Sequence, residues 1–339
     1  MALEGHLRNG LFGLARAEAA RGAPSRSRGR PYLLGRMCGS LAGRDRGIVA
    51  LPQFLVIGAY KSGTTSIHEV LRQHPSVFVP NRKEPNFFAF DGDPCPDLRV
   101  AARSVTDRND YEALFAPARP GQLLGEVSPE YLVNEWAPRR IKELVPDARL
   151  VAVVRNPVDR AWSDFLMYRR DGVEAATDFL DAIRQQDERR AANAPGASYL
   201  RSGRYGEQLA RYYRRFDREQ LLVLLFEDLV AAPEHSLELL WRFLQLPVVD
   251  GLRLPQTNIS GIPRNRIVAN LYRARRVVGP AAKRALPPPL QRRLERLASR
   301  GLVRDTLPAD VRAEVLEHFR SDIALLGELI GQDLSTRWR

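Results

Sequence analysis

The chain has 339 residues, of which 44% are hydrophobic and 27% charged, and its formal net charge is +12. This composition is typical of a globular protein and excludes a chain that is disordered over its whole length. Two cysteines, Cys38 and Cys95, cannot build a disulfide framework or a CxxC metal site, and the five histidines show no metal-ligand spacing. The positive charge first suggests an anionic partner: nucleic acid, a phospholipid headgroup, a nucleotide or an acidic polysaccharide.

The apolar runs are too short for a membrane protein. The longest, such as residues 221–226, fall far below the ~20 residues that a membrane span needs. The N-terminus lacks the apolar region of a secretory signal, because Gly13 interrupts its leucines and Arg16 and Glu18 follow them. Together with the low cysteine count, these features predict a cytoplasmic protein without a transmembrane segment.

The first 50 residues differ from the remainder of the chain. They hold nine arginines and three acids and are rich in glycine, alanine and serine, which predicts a poorly ordered basic extension. We expect one folded domain over residues 51–335. Since the extension carries +6 of the net charge of +12, the folded part is only mildly basic.

Four segments of this domain read as buried strands: residues 53–57, 123–127, 149–154 and 220–226. Each is followed by a turn and then by apolar residues at helical spacing, including a helix predicted over 157–170 that begins with proline. Strands that alternate with helices predict an α/β fold with a central parallel sheet flanked by helices. Near the C-terminus, an apolar stripe from Val311 to Ile330 predicts a long amphipathic helix packed on the sheet.

The loop after the first strand points to an anion site. It runs from Gly58 through Lys61-Ser-Gly-Thr-Thr-Ser66 into a helix, so backbone N–H groups and the positive end of the helix face the same place. It departs from the nucleotide P-loop pattern G-x-x-x-x-G-K-[ST], because Thr64 follows Gly63 and the lysine lies earlier, at Lys61. Such a loop suits a single phosphate, with the ammonium over a bridging oxygen.

This loop resembles the 5′-phosphosulfate loop of the sulfotransferases that use 3′-phosphoadenylyl sulfate (PAPS). A second segment, Arg155-Asn-Pro-Val-Asp-Arg-Ala-Trp-Ser163 after a strand, is similar to the family's 3′-phosphate motif. The resemblance implies a P-loop-like three-layer fold and PAPS as sulfonate donor. It implies that Arg155 and Ser163 bind the 3′-phosphate, which suits a bidentate guanidinium and a hydroxyl donor. The residues that it assigns to the 5′-phosphate are Lys61, Ser62, Gly63, Thr64, Thr65 and Ser66.

The segment Asn81-Arg-Lys-Glu-Pro-Asn-Phe-Phe88 resembles a stretch of the glycosaminoglycan sulfotransferases in which a carboxylate precedes paired aromatics. The resemblance implies that Glu84 is the general base, with Lys83 adding positive potential beside it. His68 and His74 fit capping or packing roles better than catalysis.

Further matches are less specific. Gly125-Glu-Val-Ser-Pro-Glu-Tyr131 lies where the glycosaminoglycan enzymes have Glu-Lys-(Ser/Thr)-Pro-x-Tyr, so Val127 replaces a lysine and Glu126 is a second candidate for the acceptor-side carboxylate. The resemblance also places Tyr205 beside the cofactor and Arg264 in a late loop that meets its phosphates.

The resemblance therefore predicts an enzyme, a PAPS-dependent sulfotransferase that needs no metal and acts on a hydroxyl or amine of a glycan, lipid or small molecule. Lys61 would stabilise the leaving phosphate. Two other functions stay open: a P-loop-type nucleotide kinase with a variant loop, and a non-catalytic arginine-rich binder of nucleic acid. The mild charge of the folded part and the lack of a nucleic-acid-reading motif argue against a nucleic-acid partner. The pattern fixes neither the acceptor nor the oligomeric state.

Overall fold

The centre of the protein is a sheet of five parallel strands, in the order β2-β3-β1-β4-β5. The computed structural model describes residues 51–90, 100, 104–191, 198–255, 262–263, 302–303 and 306–339. The strands of the sheet are β1 (Phe54–Gly58), β2 (Val77–Phe78), β3 (Leu123–Val127), β4 (Arg149–Val154) and β5 (Leu221–Leu225). A separate antiparallel pair joins β6 (Ile262–Pro263) to β7 (Leu302–Val303).

The helices lie on both faces of the sheet and after its last strand. They are α1 (Thr64–Gln73), α2 (Phe87–Phe90), α3 (Arg108–Ala113), α4 (Glu130–Val133), α5 (Ala137–Leu144), α6 (Pro157–Arg170), α7 (Phe179–Arg184), α8 (Gln186–Ala191), α9 (Tyr205–Tyr213), α10 (Phe226–Ala231), α11 (Pro233–Leu244), α12 (Ala309–Glu317) and α13 (Arg320–Ile330). The predicted α/β fold, a central parallel sheet flanked by helices, is confirmed.

The central strand β1 is apolar throughout because helices cover both faces of the sheet. All five of its residues are buried. Leu55 and Ile57 belong to the larger core cluster on one face, and Phe54 and Val56 to the cluster on the other. This alternation follows from the two-residue period of a strand and produces the three layers of the fold.

Sequence patterns located the long elements better than the short ones. The predicted strands at 123–127 and 149–154 and the helix at 157–170 match β3, β4 and α6, whereas β2 was missed because a two-residue strand has no readable period. The prediction of one long C-terminal helix was wrong. The segment forms two helices, α12 and α13, because the chain turns between them at His318 and Phe319. The second of them packs chiefly on α9.

The packing role expected of His74 is confirmed. Its Nδ1 accepts from the backbone N–H of Ser76 at 3.2 Å, so Nε2 carries the proton and donates to the carbonyl of Pro247 at 3.1 Å. The ring also packs on Trp241, with centroids 5.0 Å apart. His74 therefore closes the C-terminus of α1 and has no free nitrogen for catalysis.

The predicted extension over residues 1–50, together with Cys38 and Cys95, lies outside the described residues. Its boundary with a domain over 51–335 therefore stays a prediction. Within the described part of the chain, no helix is long and apolar enough to cross a membrane.

Candidate active site

The predicted site residues follow the carboxyl ends of different strands of the sheet. Lys61 follows β1, Glu84 follows β2 and Arg155 follows β4 directly. Because all five strands are parallel, these ends lie along one edge. The edge of an open α/β sheet beside its central strand, where the strand order reverses, is the usual ligand site of this architecture.

The loop between β1 and α1 presents the start of a helix at this edge. Gly63 precedes α1 with φ of 87°, a left-handed conformation that glycine adopts without the strain of a side chain. Thr64, Thr65 and Ser66 form the first turn, which contains no acidic residue. The first N–H groups of a helix lack partners within it and carry its positive dipole end, so this turn suits an anion.

Lys61 is half-buried beside α6. Its Nζ lies 3.4 Å from Sδ of Met167. Desolvation by burial lowers the pKa of Lys61 to about 8; Asp164 opposes this shift, while Arg170 and Arg155 add to it. An anion placed against this ammonium would favour its charged form.

Arg155 connects the two predicted phosphate-binding segments. Its Nη1 donates to the carbonyl of Lys61 at 3.4 Å, and its guanidinium carbon lies 4.8 Å from the ring centre of Phe226. The same Phe226 ring packs on Gly63, where a Cβ atom would come within 3.1 Å of it. The pKa of Arg155 is lowered by burial, against the opposing charge of Asp159. Phe226 thus supports both the guanidinium and the loop.

Tyr205 lies near this guanidinium, and Ser163 lies on the helix that follows Arg155. Ser163 is buried on α6, one turn after Asp159 and therefore on the same side of the helix. Tyr205 is buried at the start of α9, and burial raises its pKa to about 12, although Arg160, Ser62 and Arg155 lower it. Its hydroxyl has no hydrogen-bond partner among the described residues, although Ser62 lies nearby. A buried hydroxyl without a partner is costly, so this atom suits a ligand oxygen.

Glu84 occupies the loop between β2 and α2. Its Oε1 lies 2.5 Å from Nζ of Lys83, and its side chain is only 15% exposed. Its backbone N–H donates to the carbonyl of Val127 at 3.1 Å, which fixes the loop against the end of β3. The ion pair places Lys83 beside Glu84, as expected from the sequence.

Glu126 does not face an open cleft. Its side chain is buried, and its carboxylate accepts from three hydroxyls: Tyr111 at 2.8 Å, Ser128 at 2.6 Å and Tyr131 at 2.5 Å. Burial raises its pKa to about 7 despite these bonds. A carboxylate occupied by three donors and covered by aromatic rings does not favour the role of acceptor-side base. The neighbouring Val127 points to the other face, into the core with Phe54 and Val56.

Several residues of this edge were not foreseen. Phe226 and Glu227 directly follow β5, and Glu227 accepts the backbone N–H of Asn156 at 2.9 Å. The rule that the carboxyl ends of parallel strands share one edge could have identified both. Arg312, on α12, pairs with Asp159 beside Arg155, and no sequence pattern indicated this contact. Arg264, predicted to meet the cofactor phosphates, lies outside the described residues.

A family model described as "Sulfotransferase domain" matches residues 51–257, more than half of the chain. The chain belongs to the sulfotransferase family. The resemblance predicted from the two loop motifs is thereby confirmed, and the sulfotransferase hypothesis prevails over the nucleotide kinase and the nucleic-acid binder.

Two curated relatives and one solved structure illustrate the similarity of this sulfotransferase to known proteins. The human heparan sulfate glucosamine 3-O-sulfotransferase 6 is 33% identical over 225 residues, 66% of this chain and 59% of the relative. The bifunctional heparan sulfate N-deacetylase/N-sulfotransferase 2 of cattle is 29% identical over 57% of this chain and 22% of its own length. A crystal structure of a sulfotransferase from Alicyclobacillus acidocaldarius has a TM-score of 0.66 at 28% identity, covering 86% of this chain and 100% of the other. The sulfotransferase described here therefore spans less than two thirds of these curated relatives.

The predicted absence of a metal stays a prediction. Among the residues with described positions, no group of three or more His, Cys, Asp or Glu side chains could hold a metal ion. Positive groups at the described part of the sheet edge of this sulfotransferase include Lys61, Lys83, Arg155 and the start of α1.

Proposed function

We propose that this sulfotransferase uses PAPS as its donor and transfers the sulfonate group to a hydroxyl or amine of a glycan, lipid or small molecule. The hydrogen bond from Arg155 to the carbonyl of Lys61 carries the proposal. It joins the two segments that would each bind one phosphate of the donor, so that a ligand with two phosphates can engage both.

The described residues suit the two phosphates of PAPS in different ways. The first turn of α1 and the Lys61 ammonium would hold the 5′-phosphate, since both supply positive potential at a short loop. Arg155 and Ser163 would hold the 3′-phosphate through a guanidinium and a hydroxyl. The buried hydroxyl of Tyr205, close to Arg155, fits a donor to the same ligand.

The proposed mechanism assigns a separate task to each side chain. PAPS, when bound, supplies a sulfonate group whose leaving group is a phosphate. Glu84 would accept the proton of the acceptor as its oxygen or nitrogen forms a bond to sulfur. Lys61 would neutralise the charge that develops on the departing phosphate oxygen as the bond between sulfur and that oxygen breaks. The protein otherwise aligns the two reactants, and no metal is required for these steps.

Lys83 forms an ion pair with the proposed base, Glu84. This ion pair keeps a positive charge beside the Glu84 carboxylate. In the similar glycosaminoglycan enzymes a lysine stands at the position of Val127. We propose that Lys83 supplies the ammonium in its place. This assignment follows from position, because Val127 is buried in the core and bears no charge.

The first test is the binding of adenosine 3′,5′-bisphosphate (PAP), the product that the donor leaves behind. PAP should raise the melting temperature of the wild-type protein, since a ligand that binds only the folded state stabilises it. Arg155→Ala should lose most of this shift. Arg242→Ala is the matched control, because Arg242 is 72% exposed on α11 and its ion pair among the described residues is with Glu238 in the same helix. Equal shifts in both variants would contradict the proposed 3′-phosphate site.

The second test is an acceptor screen with PAPS labelled in the sulfonate group. Heparan-type glycans come first, because the relatives named above are heparan sulfate enzymes, followed by lipid and small-molecule hydroxyls and amines. We expect labelled product in the presence of a chelator. Transfer that stops when divalent metal is removed would contradict the metal-free mechanism.

A further inference from the structure

Two backbone amides that follow Glu84 are held indirectly by one buried carboxylate. The N–H of Asn86 donates to Oγ of Ser128 at 3.1 Å, and that hydroxyl donates to Oε2 of Glu126 at 2.6 Å. Glu126 thus reaches the main chain two residues beyond the proposed base.

The second connection runs through a phenol. The N–H of Phe88 donates to the hydroxyl of Tyr131 at 3.4 Å, and that hydroxyl donates to Oε1 of Glu126 at 2.5 Å. Each oxygen of the carboxylate therefore orients one hydroxyl so that its lone pair faces a backbone N–H of the same segment. A hydroxyl that donates to an anion becomes a better acceptor, which strengthens both connections.

This segment needs external support. Glu84 and Asn86 have φ values of 61° and 52°, in the left-handed region that costs energy for residues other than glycine. Such conformations persist only where surrounding contacts impose them. Among the contacts that hold this segment are the bond from Glu84 N–H to the carbonyl of Val127 and the two connections to Glu126; the carbonyl of Pro85 also accepts the N–H of Val105 at 2.7 Å.

Tyr111 is a third donor to Glu126 and can be compared with Tyr131, because both donate a phenol hydroxyl to the same carboxylate oxygen. The hydroxyl of Tyr111 also donates to Oε1 of Glu126, at 2.8 Å, and its ring stacks on Phe87 with centroids 4.3 Å apart. No backbone amide of the segment donates to this hydroxyl in the contacts described. Tyr111→Phe and Tyr131→Phe therefore each remove one hydroxyl from the same buried carboxylate and keep the ring, but only Tyr131→Phe cuts a connection to the segment.

We propose that Glu126 is a positioning residue that holds Glu84 in its reactive place through the hydroxyls of Ser128 and Tyr131. The inference rests on the proposed role of Glu84 as general base. It assigns a task to a carboxylate that is fully buried and that would otherwise be only a costly polar group in an aromatic core.

Amide hydrogen exchange tests the connections without any substrate. Ser128→Ala should speed exchange at Asn86, and Tyr131→Phe at Phe88, each roughly tenfold, the scale of losing one hydrogen bond. Tyr111→Phe should leave both amides at the wild-type rate. Equal acceleration in all three variants, or none in any, would overturn the proposal.

Kinetics test whether the connections serve Glu84. With the acceptor found by the labelled screen, Ser128→Ala and Tyr131→Phe should lower kcat roughly tenfold at unchanged PAP affinity, whereas Tyr111→Phe should keep the wild-type kcat. Ser128→Thr, which retains a hydroxyl, should recover most of the loss. In a Glu84→Gln background, Ser128→Ala should have no further effect, because residues that act as one unit are not additive.

A further independent loss in that background would overturn the positioning role. Failure of the proposed function has a different signature: wild-type protein would not bind PAP, or Glu84→Gln would turn over normally. In either of those cases, the exchange rates at Asn86 and Phe88 still decide whether Glu126 holds the segment.

Discussion

The lowered pKa of Lys61 makes the affinity for PAP depend on pH. In the free protein this lysine titrates at about 8, because burial disfavours its charged form. A phosphate against the ammonium favours the charged form and raises the pKa again. PAP should therefore bind best below pH 8, where Lys61 is already protonated, and more weakly as the pH rises through 8.

The size of the effect follows from the protonated fraction. With a pKa of about 8, roughly nine tenths of the free protein carries the charged lysine at pH 7 and about 3% at pH 9.5, which predicts an affinity loss of about 30-fold. This loss corresponds to a lysine whose pKa in the complex returns to the ordinary value of about 10.4. The phosphates of PAP add little to the change, because their second ionisation, near pH 6, is complete over this range.

Isothermal titration calorimetry measures both the affinity and the proton. Near pH 8, binding should take up about half a proton per PAP, seen as a heat that depends on the ionisation enthalpy of the buffer. Lys61→Met is the control: it should bind PAP more weakly and show little pH dependence over the same range. A wild-type affinity that is flat from pH 7 to 9.5, with no proton uptake, would refute the burial of the ammonium and its contact with the phosphate.

Three further predictions concern the base, the guanidinium and the fold. Glu84→Gln should lower kcat by about 10²-fold or more at unchanged PAP affinity, and normal turnover would remove Glu84 as the base. Arg155→Ala should weaken PAP binding by about 10- to 100-fold in calorimetry, because the charge-assisted hydrogen bonds to the 3′-phosphate are lost. An unchanged dissociation constant would contradict the role of Arg155 in binding that phosphate. Asp322, on α13, accepts the backbone N–H groups of Gly206 and Glu207 in the first turn of α9, both at 2.9 Å, so Asp322→Ala should lower the free energy of unfolding in urea by about 1–3 kcal/mol. Glu328→Ala, at an exposed position of α13, is its control, and equal losses would refute the capping role.

The sequence predicted the parts of the fold in which local pattern and tertiary environment agree. Strand β4 is a continuous apolar run that the sheet buries on both faces, and α6 begins with a proline at its first turn, so both were located from the sequence. The two-residue β2 has no period, and the turn at Phe319 interrupts a stripe whose apolar spacing continues across it. Such features depend on neighbouring elements and leave no local pattern.

The site residues, like the elements of the fold, were predictable from the sequence only where their pattern is local. Loop motifs identified Lys61 and Arg155 because the residues that bind a phosphate are close together in the sequence. The contacts from Glu126 to the segment of Glu84 and from Phe226 to Arg155 join residues 42 or more positions apart. Only the order of the strands brings these side chains together, so a single sequence could indicate the candidate groups but not their partners.

The measurement that tests the central claim most directly is the affinity of the wild-type protein for PAP compared with that for adenosine 5′-phosphate, which lacks the 3′-phosphate. The account predicts that PAP binds at least tenfold more tightly, and that Arg155→Ala removes most of this difference, because Arg155 would engage the 3′-phosphate. Equal affinity of the wild-type protein for the two nucleotides, or no binding of PAP, would contradict PAPS as the donor.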